Sequence, residues 1–513
     1  MTVPGEVSPG TRRGIATAFL ALFTSLLTMA TFEFMMVPLQ VELGMSVDQV
    51  TGLSRIPSAA GLIAVFVAGI LGDRLGYRPL LLAGISAFLL GAVLVIWAPN
   101  WGMLVLGRSL DGVGGVVLSI TGLAILNSSA QDEKARGRLF GYFAALAPAT
   151  FLVGSVVASW LSDNVSWRVV PVLWAAFAVV VAVLALRMPT SRRMPLAGKE
   201  LWAPLLAGLC LAGIGLAAST YAGNRPLASI AVACSVLAAI ALVMVVRKQP
   251  ANGLDLRIFH SPGVLLLILA IWLAIGVNFF FFTNLFFQYH FALPLVQISL
   301  LLACAQLAAV FGGFIGGRIS SWWGAERAAI AMLVATAVAI LSFFVVTPSS
   351  APWVPLAALC LVALPTAATV GPLTQALLDR APEGASGFAS SLRNAMWSVG
   401  SILGGVVSGA IAFAVFTHSL AHSLTAAGLP AESAEQTAEQ VRMGAFTADL
   451  AVDLGLTNPL ASQELISTTG GLGEAQVAAL RVMAISGFIT VLLSAILVHA
   501  ARRRALKAAR VES

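Results

Sequence analysis

Glu33 lies in the stretch TFEFMMVP (31–38), inside an apolar run that begins near Ile15. An ionisable side chain in hydrocarbon costs about 2.5–3.5 kcal/mol at the centre of a span, so it faces a cavity or a partner. Arg55, Arg108 and Asp111 stand in apolar runs too, and Arg393 stands in another, nearer its end. Arg108 and Asp111 are three residues apart, which puts them on one face of a helix. Such a pair can do proton chemistry: Asp111 exchanges a proton and Arg108 sets its affinity. The alternative is a permanent ion pair with a structural role. Gly44 lies midway in sequence between Glu33 and Arg55. If the two flanking helices are antiparallel, both side chains reach similar depth at 1.5 Å per residue. Glu33–Arg55 is therefore a second candidate pair, for coupling or substrate contact on one reading and for structure on the other.

The chain that must position these groups is 59% hydrophobic and 10% charged over 513 residues, with a mean hydropathy of +0.94. An average soluble domain carries about 25% charged residues. So much apolar surface cannot be hidden in one water-soluble core, and the expected class is an all-α integral membrane protein in a lipid bilayer. Fourteen stretches are long enough to cross it as helices: 15–42, 47–71, 79–98, 102–127, 138–161, 168–188, 201–220, 227–246, 263–288, 296–317, 327–347, 352–377, 386–415 and 478–500. The first is too long for a signal peptide and lacks a small-residue cleavage site. Short alternating segments of a transmembrane barrel are absent. The net charge of +7 is topological and does not point to nucleic acid. Arg12 and Arg13, then alternate loops with Arg74, Arg78, Lys134, Arg136, Arg138, Arg187, Arg192, Arg193, Lys199, Arg247, Lys248, Arg257, Arg318, Arg327 and Arg380, and then the tail, carry the base. The intervening loops are nearly free of it, Arg225 and Arg442 excepted. Both termini are expected in the cytoplasm and the acidic loop 416–477 outside.

GILGDRLGYRPLLLAG (69–84) has an echo in GGFIGGRISSWWGAERA (312–328). Both place small residues at a helix end, then a basic residue, then a glycine turn. Eight spans separate them, the offset of two six-helix halves with a two-helix insert: 1–188, 189–250 and 251–513. Repeated halves around a midplane site are a transporter architecture. Cys210, Cys234, Cys304 and Cys360 fall inside spans and read as buried thiols. The five histidines have no metal spacing, and no phosphate-binding loop of the GxxxxGK[ST] type is present. No metal, cofactor or enzyme chemistry is implied.

The stretch 69–84 resembles the loop between spans two and three of the Major Facilitator Superfamily, on Gly69, Gly72, Asp73, Arg74, Gly76 and Arg78. The resemblance implies that this loop latches one half against the other in one conformational state. LVLGRSLDGVGG (104–115) resembles the family's fourth span, on Arg108, Gly112 and Gly115, and implies a coupling role for Arg108. DEKARGRLFGYF (132–143) and NVSWRVVPVLW (164–174) resemble the starts of spans five and six. GASGFASSLRNAMWSVGSILGG (384–405) resembles span thirteen of the fourteen-span drug:proton antiporter branch. Two stretches depart from that branch. LAPATFLVGSVV (146–157) keeps Pro148 and Gly154 but lacks the paired glycines of its span-five signature. Its usual span-one acid falls at Met29 here, one helical turn before Glu33.

Span nine reads NFFFFTNLFFQYH (278–290). Its four consecutive phenylalanines circle the helix, whereas Asn278, Asn284 and Gln288 mark a wetter stripe. Asn278, Phe281, Phe282, Asn284 and Gln288 are path candidates for an apolar substrate. Gln306 and Asn394 are two more, with an interhelical hydrogen bond as the alternative reading. The expected function is a secondary exporter, working as a monomer, that uses a proton gradient and no cofactor to expel small amphipathic or lipophilic compounds. The alternative is a transporter of one defined metabolite (a biosynthetic product, a siderophore or a lipid), and behind that a non-transporting sensor or scaffold.

Overall fold

The computed structural model describes residues 9–45, 47–130, 132–188, 198–221, 225–248, 254, 256–261, 263–275, 279–291, 293, 295–381, 385–426, 430–442 and 471–512. The helices in chain order are α1 (Pro9–Phe32), α2 (Met36–Leu43), α3 (Val47–Leu75), α4 (Tyr77–Ile96), α5 (Trp101–Ser129), α6 (Glu133–Asn164) and α7 (Val169–Leu186). There follow α8 (Trp202–Thr220), α9 (Arg225–Lys248), α10 (Val264–Ala274), α11 (Phe279–Leu285), α12 (Leu295–Trp323), α13 (Ala325–Ile340) and α14 (Trp353–Leu378). The last are α15 (Ser386–Ala426), α16 (Ala431–Arg442) and α17 (Gly471–Glu512). Among the described residues thirteen helices are long and apolar enough to span a membrane, and Val264–Ala274 is a shorter apolar one. Together they make the fourteen spans expected from hydropathy.

Local sequence explains the breaks. Pro38 has no N–H for the carbonyl of Phe34 and crowds it. The first span accordingly passes through a 3₁₀ turn at Glu33–Met35 between α1 and α2. Asn100 caps α5, its side chain accepting from the Met103 N–H at 3.0 Å, and Asp132 caps α6 by accepting from Ala135 N–H at 2.5 Å. Gly76 and Gly324, at matching places in the internal echo, adopt φ of +89° and +80°. Only glycine takes that conformation without strain, so both repeats turn between helices by the same device.

The structure corrects three expectations. The ninth span is not one helix over 263–288: α10 ends at Ala274, α11 starts at Phe279, and a π turn follows over Phe286–His290. Bulky aromatics are moderate helix formers, and this π turn stacks His290 on Phe286 with ring centroids 4.9 Å apart. The helix starting at Ser386 does not stop near 415 but continues to Ala426, so part of the stretch read as a loop is helical, as is α16. Packing explains the extension, since Leu420 and Leu424 are buried there and Ala434 and Ala438 of α16 are buried too. Cys234 and Cys304 are exposed on the protein surface and not buried. A thiol is apolar enough to sit among the outward-facing Val236, Leu237 and Leu300.

The halves are built around separate contacts. In the first, Phe32, Phe88, Trp167 and Trp174 are 2% exposed or less. Trp174 Nε1 donates to Thr31 Oγ1 at 2.8 Å, tying α7 to α1. At the end of the bundle away from the basic loops, Arg168 donates to Glu42 at 2.9 Å and to the carbonyl of Ile96 at 2.6 Å. Trp167 Nε1 donates to the second oxygen of Glu42 at 2.6 Å. This clamp joins the ends of α2 and α4 to the start of α7. The insert helices α8 and α9 pair with each other, and Gly208 lets α8 approach α3 so closely that an added Cβ would lie 2.3 Å from the Ile63 carbonyl. Ala212 meets Leu62 of α3 and Val399 of α15 in one apolar cluster, so α8 covers the seam between the halves.

Desolvation opposes ionisation of Glu42, but its hydrogen bonds from Arg168 and Trp167 and the Arg168 charge outweigh that and hold its carboxyl below the usual range. A lowered pKa in the folded state stabilises above the unfolded value of about 4.3 and is lost as pH falls through the folded value. Glu42→Gln is therefore expected to lower the melting temperature of detergent-purified protein at pH 7. The gap from wild type closes as pH falls through the lowered folded value; a gap independent of pH would contradict the clamp's charge.

Candidate functional site

Arg108 and Asp111 project from adjacent turns of α5 and form an ion pair. They are 3% and 1% exposed. The guanidinium carbon lies 3.9 Å from the ring centre of Phe32 and 5.6 Å from that of Trp174. Gly107 and Gly91 let α5 and α4 touch at backbone distance beside the pair: a Cβ on Gly91 would lie 2.6 Å from the Asp111 N–H nitrogen. The pair is thus walled by helix backbone and by aromatic rings, which compensate the charge where water is excluded.

Glu33 sits one residue beyond Phe32, in the 3₁₀ turn. Phe32 points inward to Arg108, whereas Glu33 is exposed, as is Met29 one turn earlier. Helix α1 packs on α5, α6 and α7, which leaves the Met29–Glu33 stripe as its open side. Arg55 is exposed on α3. The ion pairs described here do not include Glu33 with Arg55, so this conformation does not form the pair that the sequence suggested.

At the end carrying the basic loops, the other motif meets the second half. Asp73 accepts from the Gly387 N–H at 2.8 Å through one oxygen and from the Phe388 N–H at 2.9 Å through the other. These are orphan donors of the first turn of α15, where the helix dipole also favours a negative charge. Tyr77 O–H donates to Asp73 at 3.1 Å and its oxygen also hydrogen-bonds Ser386. Gly69 makes the approach possible: an added Cβ would lie 2.2 Å from Ser391 Oγ and 2.7 Å from the Gly387 carbonyl. Arg74 pairs with Glu200 at 3.2 Å, fastening the same loop to the start of the insert. Gly72 faces the Tyr77 ring, Gly76 makes the turn, and Arg78 is half-buried.

Further contacts join the halves toward that end. Gly141 of α6 and Gly317 of α12 meet so closely that a Cβ on Gly141 would lie 2.5 Å from the Gly317 Cα. Arg136 bridges to Asp379 at 2.5 Å, and Ser119 of α5 donates to Asn394 of α15 at 3.2 Å. Asn394 thus makes an interhelical hydrogen bond. Gln306 and Asn284 are half-buried on α12 and α11. Phe282 is 8% exposed and packs on Phe413 of α15 at 5.3 Å between ring centres. Asn278 and the side chains of Phe281 and Gln288 lie outside the described residues.

Sequence reasoning passed over Glu42, Glu326 and Asp379, acids at helix ends that find arginine partners on distant helices. Arg380, for example, pairs with Glu326 and donates to the Ala501 carbonyl at 3.3 Å. The available signal was an acid at a span end in a chain with so few of them.

Among the described residues, fourteen apolar helices in two halves, joined at one end and carrying a buried ion pair in one half, make the build of a membrane transporter. The chain belongs to the Major Facilitator Superfamily, whose sequence model matches residues 18–405. It is 25% identical over 422 residues to the Major facilitator superfamily multidrug transporter mfsC of Aspergillus fumigatus, covering 78% of this chain and 79% of that one. It is 24% identical over 398 residues to the methylenomycin A resistance protein of Bacillus subtilis, covering 75% and 84%. Uncharacterised transporters of Mycobacterium tuberculosis are 30% identical over 270 residues, and the match spans 38% of their length and 50% of this chain. Among solved structures, a human organic anion transporter superposes with a TM-score of 0.59 at 14% identity, covering 95% of this chain and 100% of that one. A proton:xylose symporter superposes with a TM-score of 0.56 at 14% identity, covering 91% and 95%.

Removing one member of a buried ion pair leaves an uncompensated charge, at a cost of about 3–5 kcal/mol, whereas replacing both with apolar groups is often neutral. Asp111→Leu is expected to unfold at a much lower temperature than wild type, and Arg108→Met with Asp111→Leu to recover most of the loss. Equal destabilisation of the single and double variants would show that the pair is not held as a unit.

Proposed function

We propose that this transporter is a secondary exporter which exchanges protons for small amphipathic or lipophilic compounds by rocking its two halves. It lies in the cell membrane as a monomer with both termini cytoplasmic, so that the basic end is the inner one. One observation carries this reading. Asp73 and the Gly141–Gly317 contact join the two halves at the basic end, while Met29 and Glu33 are exposed on the first span. These contacts support a release-competent state of an exporter, shut inside, with the exposed face of α1 opening outward on this reading. The multidrug and drug-resistance names of relatives matched over most of their length support the class of cargo.

Two carboxylates compete for the proton. Asp111 is locked to Arg108 and sealed by rings, and its protonation breaks a buried ion pair. Among the described residues no arginine pairs with Glu33, and it sits in a 3₁₀ turn, a segment type that often marks a hinge. Glu33 is therefore the proton-exchanging group, and Arg108–Asp111 keeps the adjoining Phe32 in place. The latch residues act on conformation and do not touch cargo.

The test uses everted membrane vesicles with an imposed proton gradient and a panel of lipophilic cations, anions and neutral compounds. Addition of a transported compound is expected to release protons from the lumen. Glu33→Gln should slow that release by about tenfold or more, while Asp111→Asn, if it folds, keeps it. Silence of every compound in the panel would sink the antiport reading; loss in Asp111→Asn alone would move the proton to α5.

A further inference from the structure

Arg393 lies outside the latch, and its side chain is 6% exposed. None of the described ion pairs includes it. Its guanidinium carbon is 4.6 Å from the ring centre of Trp397 on the same helix and 5.1 Å from that of Phe143 on α6 of the other half. Its Nε donates to Thr374 Oγ1 at 3.3 Å and its Nη1 to Asn394 Oδ1 at 3.5 Å. These are long contacts to neutral acceptors, and they use two of five N–H donors. Aromatic rings over a guanidinium cover its faces and leave its edge for in-plane hydrogen bonds.

Arg393 lines a cavity of about 160 Å³ inside the second half, walled by α10, α13, α14, α15 and α17. The other polar groups of the wall include Thr336, Thr366, Thr369 and Thr374. Each of these hydroxyls already donates its proton to the backbone carbonyl four residues earlier. The threonines therefore offer only acceptors, and the charged donor is Arg393. The rest of the wall is largely aliphatic, with Leu333 and Val491 among it. An aliphatic cavity of about 150 Å³ is large enough for one benzene ring.

We infer that this chamber binds a small organic monoanion, its carboxylate paired edge-on with Arg393 and its apolar body, about one ring in size, against Leu333 and Val491. A carboxylate matches the guanidinium fork with two parallel charge-assisted hydrogen bonds. One arginine neutralises one charge, which selects monoanions over dianions. A cation meets an uncompensated like charge there, and a neutral isostere forgoes the charge assistance. Phe143 comes from the other half, so closure of the basic end and occupancy of the chamber meet at one side chain. The inference rests on the exporter reading only for the consequence that the anion is cargo; binding itself needs no gradient.

The test is calorimetry and thermal unfolding of the full-length protein in detergent with benzoate, benzamide and benzylammonium. Benzoate is expected to bind saturably and to raise the melting temperature, with the other two at least about tenfold weaker. Arg393→Gln should abolish benzoate binding. Ala274→Phe, which fills the chamber from α10 and leaves the guanidinium in place, should abolish it as well. If Arg393→Gln does not fold, the ligand series on wild type and the Ala274→Phe variant decide. Equal binding of benzoate and benzamide, or full benzoate binding by a folded variant, overturns the inference. Benzoate binding of this pattern in a protein that releases no protons for any lipophilic compound would remove the antiport reading and leave the chamber standing.

Discussion

A single carboxylate holds two backbone N–H groups of the opposite half. Asp73, at the end of α3, ends the helix of one half on the first turn of α15 in the other. A side-chain oxygen on orphan N–H donors is worth about 0.5–2 kcal/mol at ordinary helix caps, and a difference of one or two kcal/mol changes a two-state ratio about 5–30-fold. That is the size that the proposed latch role asks of a switch. A much stronger latch would trap one state, and a weaker one would not hold it. The neighbouring features serve this contact. Gly69 removes the side chain that would keep α15 away, Gly76 turns the chain into α4, and Tyr77 braces the carboxylate from the next helix.

The two ends of the bundle are held by different means. Toward the basic end the halves meet through glycine-lined backbone contacts and polar bridges, Arg136–Asp379 among them. At the other end the Glu42–Arg168–Trp167 clamp acts within the first half. A half tied internally at one end and tied to its partner at the other can move as a rigid body when the cross-half contacts release. The buried Arg108–Asp111 pair suits such a body. Its surroundings, Phe32 and Trp174, belong to the same half, so rocking need not break it.

Much of this was legible in the sequence, for physical reasons. Hydrocarbon thickness imposes runs of about 20 apolar residues, so the fourteen spans showed as a period. A glycine after a basic helix end showed both turns of the internal repeat, and Gly76 and Gly324 share a positive φ. The spacing of Arg108 and Asp111 gave their ion pair directly, because both lie on one helix. Partners on different helices were harder. Glu33 and Arg55 have matching counts from Gly44, yet depth does not fix which way each side chain points, and both are exposed. Arg168 and Glu42 are joined by tertiary packing that no local spacing encodes. The break in span nine, between Ala274 and Phe279, was hidden because an apolar stretch reads the same to hydropathy whether or not it stays helical. The Arg393 chamber needed five helices to assemble before its volume existed.

The central claim is that the Asp73–α15 contact keeps the basic end closed. It is tested most directly by electron–electron resonance distances in a cysteine-free protein in lipid. Spin labels would replace Lys134 at the start of α6 and Arg327 at the start of α13, both exposed at that end. The account predicts one short distance for the parent protein, and a longer second population several times more abundant in Asp73→Ala. A distance distribution unchanged by Asp73→Ala would contradict it.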